Sequence, residues 1–172
     1  PVLYLKEGLE APREHGFSIG PVLLQPKSMG AVRLRSGNPA HAPAIDPNYL
    51  SDPGGEDLRA MIAGVHWARR VAMSRAFDPF RGDEIEPGSD RLSDVEIEQF
   101  IRDRAQTFYH GVGTCKMGTD SMAVVDPELR VRGVEGLRVV DASVMPRIIR
   151  AHTYAATVMI AEKAADTILR SA

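Results

Sequence analysis

The 172-residue sequence contains a single cysteine, Cys115, so no intramolecular disulfide can form and the fold must rest on packing and hydrogen bonds. No apolar run approaches the roughly 18 residues that a membrane span requires, which excludes an integral membrane segment from the prediction. Neither charge dominates: 21 Lys plus Arg stand against 23 Asp plus Glu, a net charge of −2. That balance provides no basic field for nucleic acid. The histidines His15, His41, His66, His110 and His152 form no HExxH pair, and with Cys115 they make no cluster of zinc-ligand spacing, so no metal site is predicted. Pro1 begins the chain with neither an initiator methionine nor the layout of a signal peptide. The expectation is a piece of a longer protein, placed in the cytoplasm or at the periphery of the inner membrane.

What is present is ordinary globular composition, with 44% hydrophobic and 26% charged residues in a length suited to one domain. Gly8, Pro12, Gly16 and Gly20 interrupt residues 1–20, which read as loop. Val22-Leu23-Leu24-Gln25 and the alternating Ala31-Val32-Arg33-Leu34-Arg35-Ser36 flank a Pro/Ser/Gly turn. They predict two antiparallel strands with one wet face. The stretch 38–53 carries Pro39, Pro43, Pro47 and Pro53 and excludes a regular helix.

Leu58, Met61, Ile62, Val65, Ala68, Arg69 and Ala72 follow helical spacing and predict a helix over 56–74, with acids Glu56 and Asp57 in its first turn. Ser93 followed by Glu96 is a capping box opening a second helix to about residue 105, with Ile97, Phe100 and Ile101 inward. Residues 129–132 and 137–140 read as a strand pair joined by Gly133-Val134-Glu135-Gly136. A last helix is expected over 157–170, with Val158, Ala161, Ala164, Ala165 and Ile168 on one face. Helices and strands without a βαβ rhythm give the α+β class.

Two segments carry candidate chemistry. His110-Gly111-Val112-Gly113-Thr114-Cys115-Lys116-Met117-Gly118 fits no nucleotide loop, because Lys116 stands where a dinucleotide fingerprint needs its third glycine. It presents His110 at the expected C-terminus of the second helix, either as a capping histidine or as a site residue stabilised by the helix dipole. Cys115 beside it could serve as a nucleophile in an unrelated hydrolase, with Lys116 as electropositive support. The second segment runs from the strand end at Asp141-Ala142-Ser143 to Arg150-Ala151-His152-Thr153-Tyr154, at the mouth of the last helix, where free N–H groups suit an anionic ring edge or a phosphate. His66, next to Trp67, reads as structural or surface, as do the loop histidines His15 and His41.

Taken together, Tyr109-His110-Gly111-Val112-Gly113-Thr114-Cys115-Lys116-Met117-Gly118, Val125-Asp126-Pro127-Glu128-Leu129-Arg130-Val131 and residues 133–146 resemble, in order, the conserved segments of the glucose–methanol–choline (GMC) flavoprotein oxidoreductases. Met159-Ile160-Ala161-Glu162-Lys163-Ala164-Ala165-Asp166 is similar to the family's closing helix. Residues 25–34 and 46–50 resemble the start of its C-terminal domain, so the likeness runs over about 22–170.

The resemblance implies an FAD-dependent enzyme of the CH–OH donor class, alcohol or choline dehydrogenase-like, oxidising an alcohol to an aldehyde or ketone. It makes His110 and His152 the catalytic pair, and brings Asp141, Ala142, Thr153 and Tyr154 close to FAD. A base is needed because hydride passes to flavin N5 only as the hydroxyl gives up its proton. Imidazoles, which titrate near about 6.5, suit that step. A second donor steadies the developing alkoxide. The electron acceptor, oxygen or a quinone, is left open.

The resemblance also divides the chain into a loop-rich start (1–20), a substrate-binding antiparallel sheet with flanking helices (21–134), and a strand and helix returning to an FAD-binding domain (135–172). The sequence departs from the family at Gly111, where proline is usual, and at His152-Thr153-Tyr154-Ala155-Ala156, where Asn-Thr-Asn-Ala-Pro is commoner. It also has no strand–GxGxxG–helix fingerprint, so the main FAD site is expected in a region N-terminal to Pro1. The alternative is a standalone non-catalytic binding module derived from the same domain.

Overall fold

The computed structural model describes residues 15–91 and 93–171. Its elements are β1 (Ala31–Arg33), β2 (Ala44–Asp46), α1 (Glu56–Ala72), α2 (Asp94–Arg104) and α3 (Tyr154–Ser171), with short 3₁₀ turns at Arg75–Phe77 and Ala142–Val144. The class is α+β. The chain forms two compact units: residues 15–29 with Tyr49–Phe108, and Gly30–Asn48 with residues 109–171. The loop expected over 1–20 falls outside the described residues as far as 14, and 15–20 has no regular structure.

In the first unit α1 forms where its periodicity places it. Val65 is buried and Leu58, Met61 and Ile62 pack beside it against Ile97, Ile101 and Phe100 of α2. Gly55 precedes the helix at φ 63°, a left-handed conformation that glycine adopts without strain. The first free amides of the helix, those of Glu56 and Asp57, donate to the Asp52 carboxylate at 2.6 and 3.2 Å. α2 opens with the predicted capping box, Ser93 and Glu96 satisfying each other's backbone N–H.

Asp57 was expected only to favour the helix dipole; it is instead a buried tether. It accepts the Lys27 N–H at 2.8 Å, the Ser28 N–H at 2.8 Å and the Ser28 Oγ–H at 2.5 Å. Ser28 Oγ in turn accepts the amides of Ser51 and Asp52 at 2.9 and 3.1 Å. Burial pushes the Asp57 carboxyl up, but the Lys27 N–H, the Ser28 hydroxyl and N–H and the Lys27 charge outweigh it and hold the group below its ordinary value. This network corrects the strand expected at 22–25. Pro21 lies against Gly64 of α1, where an added Cβ would come within 2.6 Å of the proline, and the Lys27 and Ser28 amides are bound to Asp57. The segment is drawn along the helix and has no partner strand.

In the second unit β1 pairs antiparallel with β2, Ala31 opposite Asp46 and Arg33 opposite Ala44. The partner is thus taken from the proline-rich stretch, not from 22–25. Gly30 permits the approach, since a Cβ there would lie 2.2 Å from the Asp46 carbonyl oxygen. The alternation of β1 does not bury a face: Val32 and Leu34 are both exposed, Leu34 by 87%.

The core of this unit is Val125, Leu129, Val144, Met145, Ile160 and Ala164. The strand pair expected at 129–140 is reduced to a single antiparallel bridge, Arg130 to Arg138. Its hairpin bonds, Val131 N–H to Leu137 O at 2.9 Å and Val139 N–H to Leu129 O at 3.1 Å, are present. α3 begins three residues earlier than expected, and of the stripe expected to face inward only Ala164 is buried. Ile160 and Ala164 are buried while Val158 and Ile168 are exposed.

Candidate active site

The site is assembled within the second unit from two segments that sequence separates by 42 positions. His152 Nδ1 lies 3.3 Å from His110 Nε2, with ring centroids 5.1 Å apart. One of these nitrogens donates and the other accepts, so the two imidazole edges converge on one point. Both rings reach the surface of the unit. Neither of two shallow clefts, one bordered by Arg130, Val134 and Arg138 and the other by Glu86, Arg91 and Phe100, includes either histidine.

Backbone hydrogen bonds fix the segment carrying His110. Gly113, at φ 87°, and Cys115 both donate their N–H to the Ser143 carbonyl, at 3.0 and 3.1 Å. Met117 N–H continues onto Val144 O at 2.8 Å. The Lys116 ammonium, 2.9 Å from Asp120, together with the Met122 N–H, holds that exposed carboxyl below its ordinary value. Of the two roles left open for His110, capping of the preceding helix does not occur. α2 ends at Arg104 with Ala105 as its C-cap, and the irregular residues 105–109 intervene. The helix thus ends where expected, at about residue 105, and His110 lies five residues beyond its C-cap.

The segment receiving these bonds contains two of the predicted cofactor contacts. Asp141 caps the turn Ala142–Val144, accepting the Ser143 N–H at 2.8 Å and also its hydroxyl, while Ala142 packs on the core. His152 stands just before α3. Thr153 is buried, and its carbonyl accepts both the N–H and the hydroxyl of Thr157, each at 2.9 Å. Tyr154 opens the helix and is 78% exposed. The N–H groups of residues 154–156 precede the first helical bond, so beside His152 they form a set of donors.

The remaining candidates lie elsewhere. Cys115 is half-buried, and its thiol makes no hydrogen bond among the described residues, which removes the support for a Cys115–His110 nucleophile pair. His66 meets Asp94 at 2.8 Å and His41 meets Ser36 Oγ at 2.8 Å, each an exposed local pair. No cluster of three or more His, Cys, Asp or Glu that could hold a metal occurs among the described residues. No helix described is long and apolar enough to cross a membrane. Sequence reasoning missed the Ser143 carbonyl as the anchor of the glycine segment, since a backbone acceptor leaves no residue signature.

Residues 26–161 match the profile of a family described as GMC oxidoreductase. The chain is 48% identical over 168 residues to an alcohol dehydrogenase [acceptor] of Pseudomonas putida, covering 97% of this chain and 30% of that protein. It is 45% identical over 161 residues to a choline oxidase of Arthrobacter globiformis, covering 92% and 29%. Among solved structures it is similar to formate oxidase of Aspergillus oryzae, in a study of FAD modification, with a TM-score of 0.80 and 32% identity over 87% of this chain and 26% of that one. The chain thus spans less than a third of the length of the relatives it matches. Motif order, the family profile and the fold agree: the chain belongs to the GMC oxidoreductase family and corresponds to its C-terminal domain.

Proposed function

We propose that the chain is the substrate-binding and catalytic C-terminal portion of an FAD-dependent oxidoreductase that converts a primary or secondary alcohol into the aldehyde or ketone. The observation that carries this reading is the convergence of His110 Nε2 and His152 Nδ1 at 3.3 Å. An alcohol oxygen seated against both edges exchanges the imidazole–imidazole bond for two of its own. His110 accepts the hydroxyl proton through the nitrogen that faces His152, and His152 donates to the same oxygen as negative charge develops on it. The names of the relatives, an acceptor-linked alcohol dehydrogenase and a choline oxidase, support an alcohol substrate.

The residues present also fit the edge of a flavin. The unpaired N–H groups at the start of α3 suit an electron-rich ring carbonyl. Thr153 and Tyr154 stand at that helix end, and Asp141 and Ala142 lie in the turn whose Ser143 carbonyl secures the His110 segment. FAD when bound supplies the hydride acceptor. In this reading the chain supplies the substrate-binding part, and α3 with the Ala142–Val144 turn contributes the edge that meets the flavin.

The test is flavin reduction in the protein expressed from the complete gene. The expected result is visible flavin absorbance bleached by alcohols. His110→Ala should retain bound flavin and lower the reduction rate by about 10²–10⁴-fold, the usual loss for a general base. Unchanged reduction in that variant would reject the base assignment, and absence of flavin would favour the non-catalytic binding module.

A further inference from the structure

We propose that the Asp141 carboxylate is a positioning residue for the histidine pair, acting through Ser143 to hold the segment that carries His110. This rests on the reading of His110 and His152 as the catalytic pair, and it gives Asp141 a task beyond contact with a flavin. The turn Ala142–Val144 is a single turn of 3₁₀ helix. Two bonds of its own close it, Val144 N–H to Asp141 O at 3.3 Å and Met145 N–H to Ala142 O at 3.2 Å. Both lie at the long end of the range, and 3₁₀ bonding geometry is poor in any case. The shape of the turn therefore depends on its cap, where Asp141 accepts the Ser143 N–H at 2.8 Å and the Ser143 hydroxyl as well.

Those contacts bear on His110 through one peptide group. The Val144 N–H, bound to the Asp141 carbonyl, and the Ser143 carbonyl belong to the same planar unit. Asp141 thus holds Ser143 by its N–H, its hydroxyl and the peptide that follows it. The Ser143 carbonyl in turn receives the Gly113 and Cys115 amides at 3.0 and 3.1 Å, and the Val144 carbonyl receives Met117 at 2.8 Å. Val112, between His110 and Gly113, packs on the core that Val144 and Met145 form with Ile160 and Ala164 of α3. Ala156, in the first turn of α3 beyond His152, packs on that same core. Both histidines are therefore placed relative to this turn, His110 by backbone bonds and His152 by core packing. A rotation of the Ser143 peptide moves the first without the second and opens the 3.3 Å contact between them.

Substitution separates this task from a flavin contact. Asn keeps an accepting oxygen without the carboxylate, Ala removes the acceptor, and Ser143→Ala removes only the hydroxyl. Asp141→Ala, Asp141→Asn, Ser143→Ala and the double alanine variant are made in the flavin-loaded protein from the complete gene. Long-range ¹⁵N–¹H imidazole spectra report the His110–His152 hydrogen bond, and stopped-flow absorbance reports the limiting rate of flavin reduction apart from alcohol affinity. Asp141→Ala should lose the imidazole signature and slow the limiting rate about tenfold. Ser143→Ala should weaken the signature and slow the rate about threefold, with the double variant no slower than Asp141→Ala because both act through one residue. Asp141→Asn should keep the signature and run about fivefold faster than Asp141→Ala.

An intact imidazole signature in flavin-loaded Asp141→Ala overturns the proposal and leaves Asp141 a flavin contact. So does an Asn variant that loses the signature as Ala does, or single effects that multiply in the double variant. Should Asp141→Ala fail to fold or to hold flavin, Ser143→Ala decides: a signature equal to the parent's overturns the proposal, and a weakened one supports it. If His110→Ala leaves reduction intact, it is the catalytic reading that fails. The imidazole spectra of the Asp141 and Ser143 variants then still decide what sets the geometry.

Discussion

The two units of the chain are built by different means. In the first, two helices with regular apolar spacing bury Val65, Ile97 and Ile101, and side-chain caps satisfy their ends. In the second, the core of Val125, Leu129, Val144, Met145 and Ile160 is assembled largely from irregular chain, tied by single bridges and backbone hydrogen bonds. The candidate chemistry sits in the second. A periodic helix presents a face but leaves little freedom to aim one side chain, whereas irregular segments pinned at a few amides can bring His110 and His152 together from distant parts of the sequence.

The sharpest way to break this comparison is to cut a core side chain in each unit. Ile97 is fully buried in the helix pair, and Ile97→Ala should destabilise by about 3–4 kcal/mol in chemical denaturation, the transfer and cavity cost of an isoleucine. Hydrogen exchange should speed at α1 and α2 amides. Equal acceleration at the Met117 and Val139 amides would erase the distinction between the units. The counterpart, Val144→Ala, should cost about 2 kcal/mol and act first on the amides bonded to Ser143 and Val144.

A third variant tests the tether that distinguishes the first unit. Asp57→Ala leaves the partly buried Lys27 and Ser28 amides without their acceptor and should cost about 1–2 kcal/mol, measured by thermal unfolding. Its pH dependence stems from the depressed carboxyl. A folded value below the unfolded one contributes stability that is present above about pH 4 and is lost as pH falls through the folded value. The parent should therefore lose stability in acid more steeply than Asp57→Asn, and parallel acid profiles would contradict the assignment. The smallest effect belongs to the capping box, where Ser93→Ala should cost about 1 kcal/mol, with α2 fraying at its N-terminus.

Legibility divides along the same line. The limits of α1, the capping box of α2 and the inward set of Ile97, Phe100 and Ile101 could be read directly, since each depends on residues within one or two turns of each other. The partner of β1 could not, because pairing with Ala44–Asp46 depends on Gly30 admitting a close carbonyl and on Asp57 withdrawing the segment that precedes it. The inward face of α3 was read only in part: Ala164 is buried as expected, but its buried neighbour is Ile160, while Val158 and Ile168 are exposed.

The sequence by itself determined the α+β class, the three helices and, through motif order, the two candidate histidines. Those features are written in side-chain type and local spacing, which need no tertiary information. Only the tertiary structure decided that His110 and His152 face each other, that the Ser143 carbonyl anchors the glycine segment and that Tyr109 turns left-handed before the histidine. Backbone acceptors and dihedral angles carry no residue code, and contacts across 42 positions exist only once the chain has closed on itself.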